Sequence, residues 1–177
     1  MKTPSLNLRR EVASITGKVQ AQKMASYIGS DQERFDQLMS IFYTGPYRLT
    51  QKASWVMSHS IEQHPDLILP HFKKMIRVLR KSPSDAVKRN TVRAWQFVPI
   101  PETFPDDVAD LCFTYLSMQQ ERVAIKVFSM TVLLNITRYI PALKNELQMV
   151  IEDQMPYASA AFRARGSKVL RELEKIT

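Results

Sequence analysis

The sequence predicts an all-α protein, a solenoid of stacked helical hairpins, and three observations carry that prediction. Six of its ten prolines fall into two interleaved series, Pro46, Pro83 and Pro156, and Pro70, Pro105 and Pro141, each stepping by about 36 residues or twice that. Spacing this regular marks a helical-repeat array. Proline is tolerated in the first turn of a helix, where its missing N–H costs nothing, so two prolines per period mean two helix starts per period. Second, apolar residues between the prolines recur at i, i+3, i+4 and i+7, the spacing of one helical face. Third, only four glycines occur in 177 residues, and no apolar run approaches the ~20 residues of a membrane span.

The elements follow in order. A first helical stretch is expected from about Leu8 to Ile28 and a second from Asp31 to Tyr43, with Ser30 or Asp31 as N-cap. Thr44-Gly45-Pro46 closes that hairpin. The next pair carries Ala53, Val56, Met57 and Ile61, then Leu69, Phe72, Ile76 and Leu79, and ends at the break Lys81-Ser82-Pro83-Ser84-Asp85. The third sets Val87, Thr91, Ala94, Trp95 and Val98 against Val108, Leu111, Cys112 and Tyr115, across a proline-rich loop from Pro99 to Pro105 that is too short for a domain linker. In the fourth, VAIKVFSMTVLL from Val123 to Leu134 is apolar nearly all the way round, so this helix is expected to lie centrally with Phe128 in the core. Its partner begins at Pro141 and carries Leu143, Leu147, Val150 and Ile151. A last helix shows Phe162, Gly166, Val169, Leu170 and Leu173 on one face and charge elsewhere, as a terminal cap requires. Helix pairs are thus expected over about 8–43, 46–81, 83–117 and 119–154, with a capping helix over 157–176, in one domain, 1–177.

Aligning the second helices at offsets of 35 and 36 gives the columns Leu69/Phe104/Ile140, Pro70/Pro105/Pro141 and Ile76/Leu111/Leu147. Together with the helix openings QKASWVMSH, DAVKRNTVRAW, ERVAIKVFSM and ASAAFRARGSKVL, they make the chain resemble HEAT-like proteins of the ARM/HEAT superfamily from about Asp31 to Thr177. It looks particularly like small uncharacterised bacterial HEAT-like proteins. The resemblance implies a right-handed α-α solenoid of HEAT-like helix pairs that holds another macromolecule on a concave surface made by the second helix of each pair.

Charge separates the candidate functions. The net charge is +8, but residues 1–93 hold 16 Lys and Arg against 7 Asp and Glu, whereas residues 94–177 hold 9 against 10. The basic half points to an anionic partner. Its densest stretch is the helix expected from Pro70 to Lys81, with Lys73, Lys74, Arg77, Arg80 and Lys81; four of these, Lys73, Arg77, Arg80 and Lys81, share one side opposite Phe72, Ile76 and Leu79. These five are the candidate partner-binding residues. Lys88, Arg89 and Arg93 form a second basic group, and Arg163, Arg165 and Lys168 a third.

No residue pattern assigns chemistry. Trp55 and Trp95 occupy apolar positions and read as core. His59 and His64 lie five residues apart across a helix end, unlike the i, i+4 pair that holds a metal. Cys112, the single cysteine, is expected in the core and fits a reducing compartment. The segment MKTPSLNLRREV has no apolar h-region, so the cytoplasm is expected. The resulting expectation is a non-catalytic module, without cofactor or metal, that binds another protein or an acidic surface. The alternative is nucleic-acid binding, through the resemblance to HEAT-like alkylpurine DNA glycosylases. Those enzymes combine a basic face with aromatic and acidic residues, and Trp55, Trp95, Asp106, Asp107 and Asp110 do not match their active-site motif residue by residue.

Overall fold

The computed structural model describes residues 7–177; residues 1–6, which open the expected domain span and the amino-terminal segment read above, lie outside the described residues. Among the described residues there are ten α-helices and no strand, and no helix is long and apolar enough to cross a membrane. Residue contacts divide into two compact units, one ending at Val98 and one spanning Pro99–Thr177.

The first unit contains α1 (Leu8–Ser14), α2 (Lys18–Ile28), α3 (Gln32–Thr44), α4 (Tyr47–Gln63), α5 (Phe72–Leu79) and α6 (Asp85–Trp95), with a 3-10 segment, Pro65–His71, leading into α5. Its hub is α4, on which α2, α3 and α6 pack most extensively. Small side chains let α6 approach closely, and two hydrogen bonds cross that seam: Asn90 Nδ2 donates to Ser54 Oγ at 2.9 Å and Arg93 donates to Ser58 Oγ at 2.8 Å. The partners are 36 and 35 residues apart. Gln32 to the Leu67 carbonyl and Asp36 to His71 both repeat the separation of 35. The period read from the prolines is therefore the distance along the chain between residues that bond across neighbouring hairpins.

The second unit contains α7 (Pro105–Ser117), α8 (Val123–Thr137), α9 (Lys144–Gln154) and α10 (Ala160–Leu173), with 3-10 turns at Pro141–Leu143 and Met155–Tyr157. Within it α8 is the hub, packed chiefly on α7 and α10. Gly166 lets α10 close on the segment before it: a Cβ there would stand 2.9 Å from Met155 Sδ and 3.0 Å from Ile151 Cγ2.

Helices begin near each of the six prolines. Pro46 is the N-cap of α4 and Pro105 opens α7, while Pro70 and Pro141 sit in the 3-10 turns that feed α5 and α9. Pro83 precedes the Ser84 cap of α6, and Pro156 the Ser159 cap of α10.

Four local expectations change. The stretch from Leu8 to Ile28 is two helices, because β-branched Ile15 and Thr16 precede an extended Gly17, and Gln20 Oε1 accepts the Thr16 and Gly17 N–H groups at 2.6 and 3.1 Å. The helix expected from Pro70 to Lys81 is α helix only over Phe72–Leu79; it closes in a turn where Ser82 has φ 50°. Phe128 is half-buried. It belongs to a third stripe of α8, Ala124, Val127, Phe128, Thr131 and Asn135, that stays partly open while Ile125, Ser129, Leu133 and Ile136, and Lys126, Met130, Leu134 and Thr137, are covered. Trp95 is wholly buried and stacks on Phe72, centroids 5.8 Å apart, but Trp55 is half-buried at the edge of α4's covered face.

Candidate functional site

The basic stretch around α5 borders a groove of about 410 Å³ in the first unit, lined by Tyr43, Pro70, Lys73, Lys74, Arg77, Val78 and Lys81. The amphipathicity of α5 aims these cations outward: Phe72, Met75, Ile76 and Leu79 are buried, which leaves Lys73, Lys74 and Arg77 exposed on the opposite arc. Lys81 is beyond the helix but returns to the same rim. Arg80 is exposed and does not line the groove, because the chain leaves the α-helix after Leu79 and tightens through the bonds Lys81 N–H to Val78 O and Ser82 N–H to Leu79 O. Four of the five residues singled out in the sequence are thus brought together, with Lys74 in the place expected for Arg80.

Tyr43 has no counterpart in the sequence reading. It comes from the end of α3, and the Lys74 ammonium sits 3.9 Å from its ring centroid, a cation–π contact. The ring is held by a polar relay. The Tyr43 hydroxyl lies 3.4 Å from His71 Nδ1, and His71 Nε2–H donates to Asp36 Oδ1 at 2.8 Å. Phe35 packs edge-on against the same imidazole, centroids 5.5 Å apart. Hydrogen bonding from Gln32 holds the Asp36 carboxyl below its ordinary range, against burial and with help from His71. Burial, reinforced by the Asp36 charge, pushes the Tyr43 phenol up, so it stays protonated and its hydroxyl remains a donor. The visible signal for Tyr43 was slight: an aromatic at the end of one helix, far along the chain from the cations it meets.

The cations of this groove lack ion-pair partners among the described residues, as exposed Lys23 and Arg48 also do. Lys73, Lys74, Arg77 and Lys81 have no carboxylate within ion-pair distance among the described residues. Other cations do: Arg34 pairs with Asp31, Lys88 with Asp85, Arg93 with Glu62, and Arg138 and Lys175 with Glu172. The second basic group is accordingly dispersed. Arg93 is tied to Ser58 and Glu62, Glu62 also meets His59 Nδ1 at 3.3 Å, and Arg89 lines a separate pocket beside Trp55 and Lys52. Burial lowers the His59 pKa, with the Arg93 charge acting the same way and Glu62 opposing. In the third group Arg163 and Lys168 are exposed, while Arg165 donates to Thr131 Oγ1. Asp106, Asp107 and Asp110 belong to α7, in the other unit from the groove. Cys112 is fully buried, and burial pushes its thiol up to about 12.

The family model described as a HEAT repeat domain matches residues 8–173, running through both units. No curated protein and no solved structure matches the chain significantly.

Proposed function

This chain belongs to the HEAT repeat domain family, and from that premise we propose that it is a non-catalytic interaction module whose Tyr43 groove holds an acidic segment of a partner protein. The observation that carries the reading is the gathering of four exposed, internally uncompensated cations around one aromatic ring. Like charges held together on and just beyond one short helix repel, and no carboxylate among the described residues pairs with them; a carboxylate-bearing partner does. Single exposed ion pairs contribute only about 0–1 kcal/mol each, so charge steers the partner and the apolar surface of Tyr43, Pro70 and Val78 supplies contact area.

A protein partner suits the groove better than a duplex. Eight residues of α5 span about 12 Å at ~1.5 Å per residue. Four cations neutralise at most about four phosphates, a log–log salt slope of about −3.6 for duplex DNA, which is small beside the six to ten contacts of committed DNA binders. In the cytoplasm, the expected location, the module would meet acidic protein segments in abundance. The test is a pull-down from the source cell with parent protein and the Lys73→Ala/Lys74→Ala/Arg77→Ala variant, with and without nuclease. A partner retained after nuclease and lost with the variant supports the reading; capture abolished by nuclease replaces it with nucleic-acid binding.

A further inference from the structure

A second groove of the first unit, about 450 Å³, opens where the turn between α1 and α2 meets α4 and α6, within the ~300–1,000 Å³ range of small-molecule sites. Asn90 of α6 lines it although the residue is only 3% exposed. The Ser54 hydroxyl donates to the Gln51 carbonyl at 2.7 Å, so its one proton is committed and toward Asn90 it can only accept. The Asn90 amide therefore turns Nδ2 to Ser54, at 2.9 Å, which leaves Oδ1 as the atom facing the groove. No described residue donates to that oxygen, and it is not enclosed. A largely buried amide oxygen held in this way calls for a donor from outside.

The remaining wall selects the molecule that brings that donor. Half-buried Trp55 supplies an aromatic surface. Gln51, one turn earlier on α4 and also half-buried, has no side-chain partner among the described residues, so its amide adds a donor to the Asn90 acceptor. Arg89 is exposed, with neither ion pair nor hydrogen bond to a described residue, and Lys52 gives the Ala13 carbonyl only one of its three N–H groups. No acid lines the groove among the described residues. An anion is thus drawn in and a cation repelled. A planar base suits the indole, and adenine carries an exocyclic amine beside a ring-nitrogen acceptor, the pair that Asn90 Oδ1 and the Gln51 amide complement. A phosphate on the same molecule suits the Arg89 guanidinium.

We propose that this groove binds a free adenine nucleotide, its base on Trp55, its exocyclic amine on Asn90 Oδ1 and its phosphate at Arg89 and Lys52. The experiment is isothermal titration and two-dimensional NMR of the full chain with adenosine monophosphate. The comparison ligands are inosine monophosphate, which has a carbonyl in place of the amine, adenosine, which lacks the phosphate, and ribose phosphate, which lacks the base. The phosphate methyl ester of adenosine monophosphate stands for the diester of a nucleic-acid strand. Parent protein, Arg89→Ala and Trp55→Leu are compared. Arg89 is exposed, so its variant keeps the fold and remains informative even if Trp55→Leu does not fold. Saturable binding of adenosine monophosphate is expected, at least about tenfold weaker for inosine monophosphate, adenosine and ribose phosphate and in Arg89→Ala, and weaker for the methyl ester. Lys73→Ala/Lys74→Ala/Arg77→Ala, which alters the other groove, should leave it unchanged. The proposal is overturned by an absence of saturable shifts with adenosine monophosphate up to about 10 mM, by equal affinity for any of the three truncated or altered ligands, by an equal or higher affinity for the methyl ester, by unchanged affinity in Arg89→Ala, or by loss of binding in the triple variant.

Discussion

Trp95 and Phe72 join α6 to α5, and replacing them one at a time should give unequal costs that the structure ranks in advance. Both side chains are wholly buried, and their rings stack with planes 8° apart. Phe72→Ala removes a buried ring and should cost about 3–5 kcal/mol. Trp95→Phe keeps the stack. It sheds two ring carbons, a loss of about 1.6 kcal/mol at ~0.8 per methylene-sized group. It also removes the indole N–H, which is buried without a hydrogen-bond partner, a penalty of about 1–3 kcal/mol that the variant escapes. The two terms nearly cancel, so Trp95→Phe should fall within about 1 kcal/mol of the parent. Urea unfolding followed by far-UV circular dichroism reads both: with a slope of ~2 kcal/mol/M, Phe72→Ala lowers the midpoint by about 2 M and Trp95→Phe by less than about 0.5 M. A Trp95→Phe variant as destabilised as Phe72→Ala would refute the argument, because the indole N–H would then be contributing a bond and not a penalty.

Acid should weaken the first unit through His59. Its pKa is lowered in the folded chain, so the unfolded chain binds the proton more readily and stability falls as the pH drops below the unfolded value of ~6.5. Glu62, also lowered, adds a separate loss below ~4.5. Thermal midpoints between pH ~7 and ~5 should therefore decline in the parent and flatten in His59→Gln; an equal decline in both would assign the effect elsewhere. Ser54→Ala strands the buried Asn90 amide and should cost about 1–3 kcal/mol, while Ser54→Ala/Asn90→Ala should cost less than the sum of its single variants. Additive values from a double-mutant cycle would show that this bond does not couple α4 to α6.

The repeat was legible because its marks are local and its consequence is periodic. A proline constrains its own turn, and a fixed spacing of such turns sets which residues meet, as Ser54 with Asn90 and Asp36 with His71 demonstrate. The break at Gly17 was also written locally, in Ile15-Thr16-Gly17, but helical periodicity on both sides masks it. For the groove, periodicity identified the exposed arc of α5. Which cations share a rim depended on the helix ending at Leu79 and on Tyr43 arriving from α3, and neither is a property of the stripe itself. Asn90 was out of reach for a different reason: one polar residue in a helix reads as solvated, and only the Ser54 hydroxyl, committed to the Gln51 carbonyl, turns its amide oxygen into a groove.

The most direct test of the interaction reading is a salt titration of binding to two probes, a fluorescent Asp/Glu-rich peptide and a DNA duplex, by parent protein and by Lys73→Ala/Lys74→Ala/Arg77→Ala. At ~150 mM salt the acidic peptide should bind saturably and lose at least about tenfold affinity in the variant, while the duplex stays in the weak, non-specific range of ~10⁻⁴–10⁻⁶ M. Submicromolar duplex affinity that collapses in the variant, or a peptide affinity indifferent to it, would contradict the account.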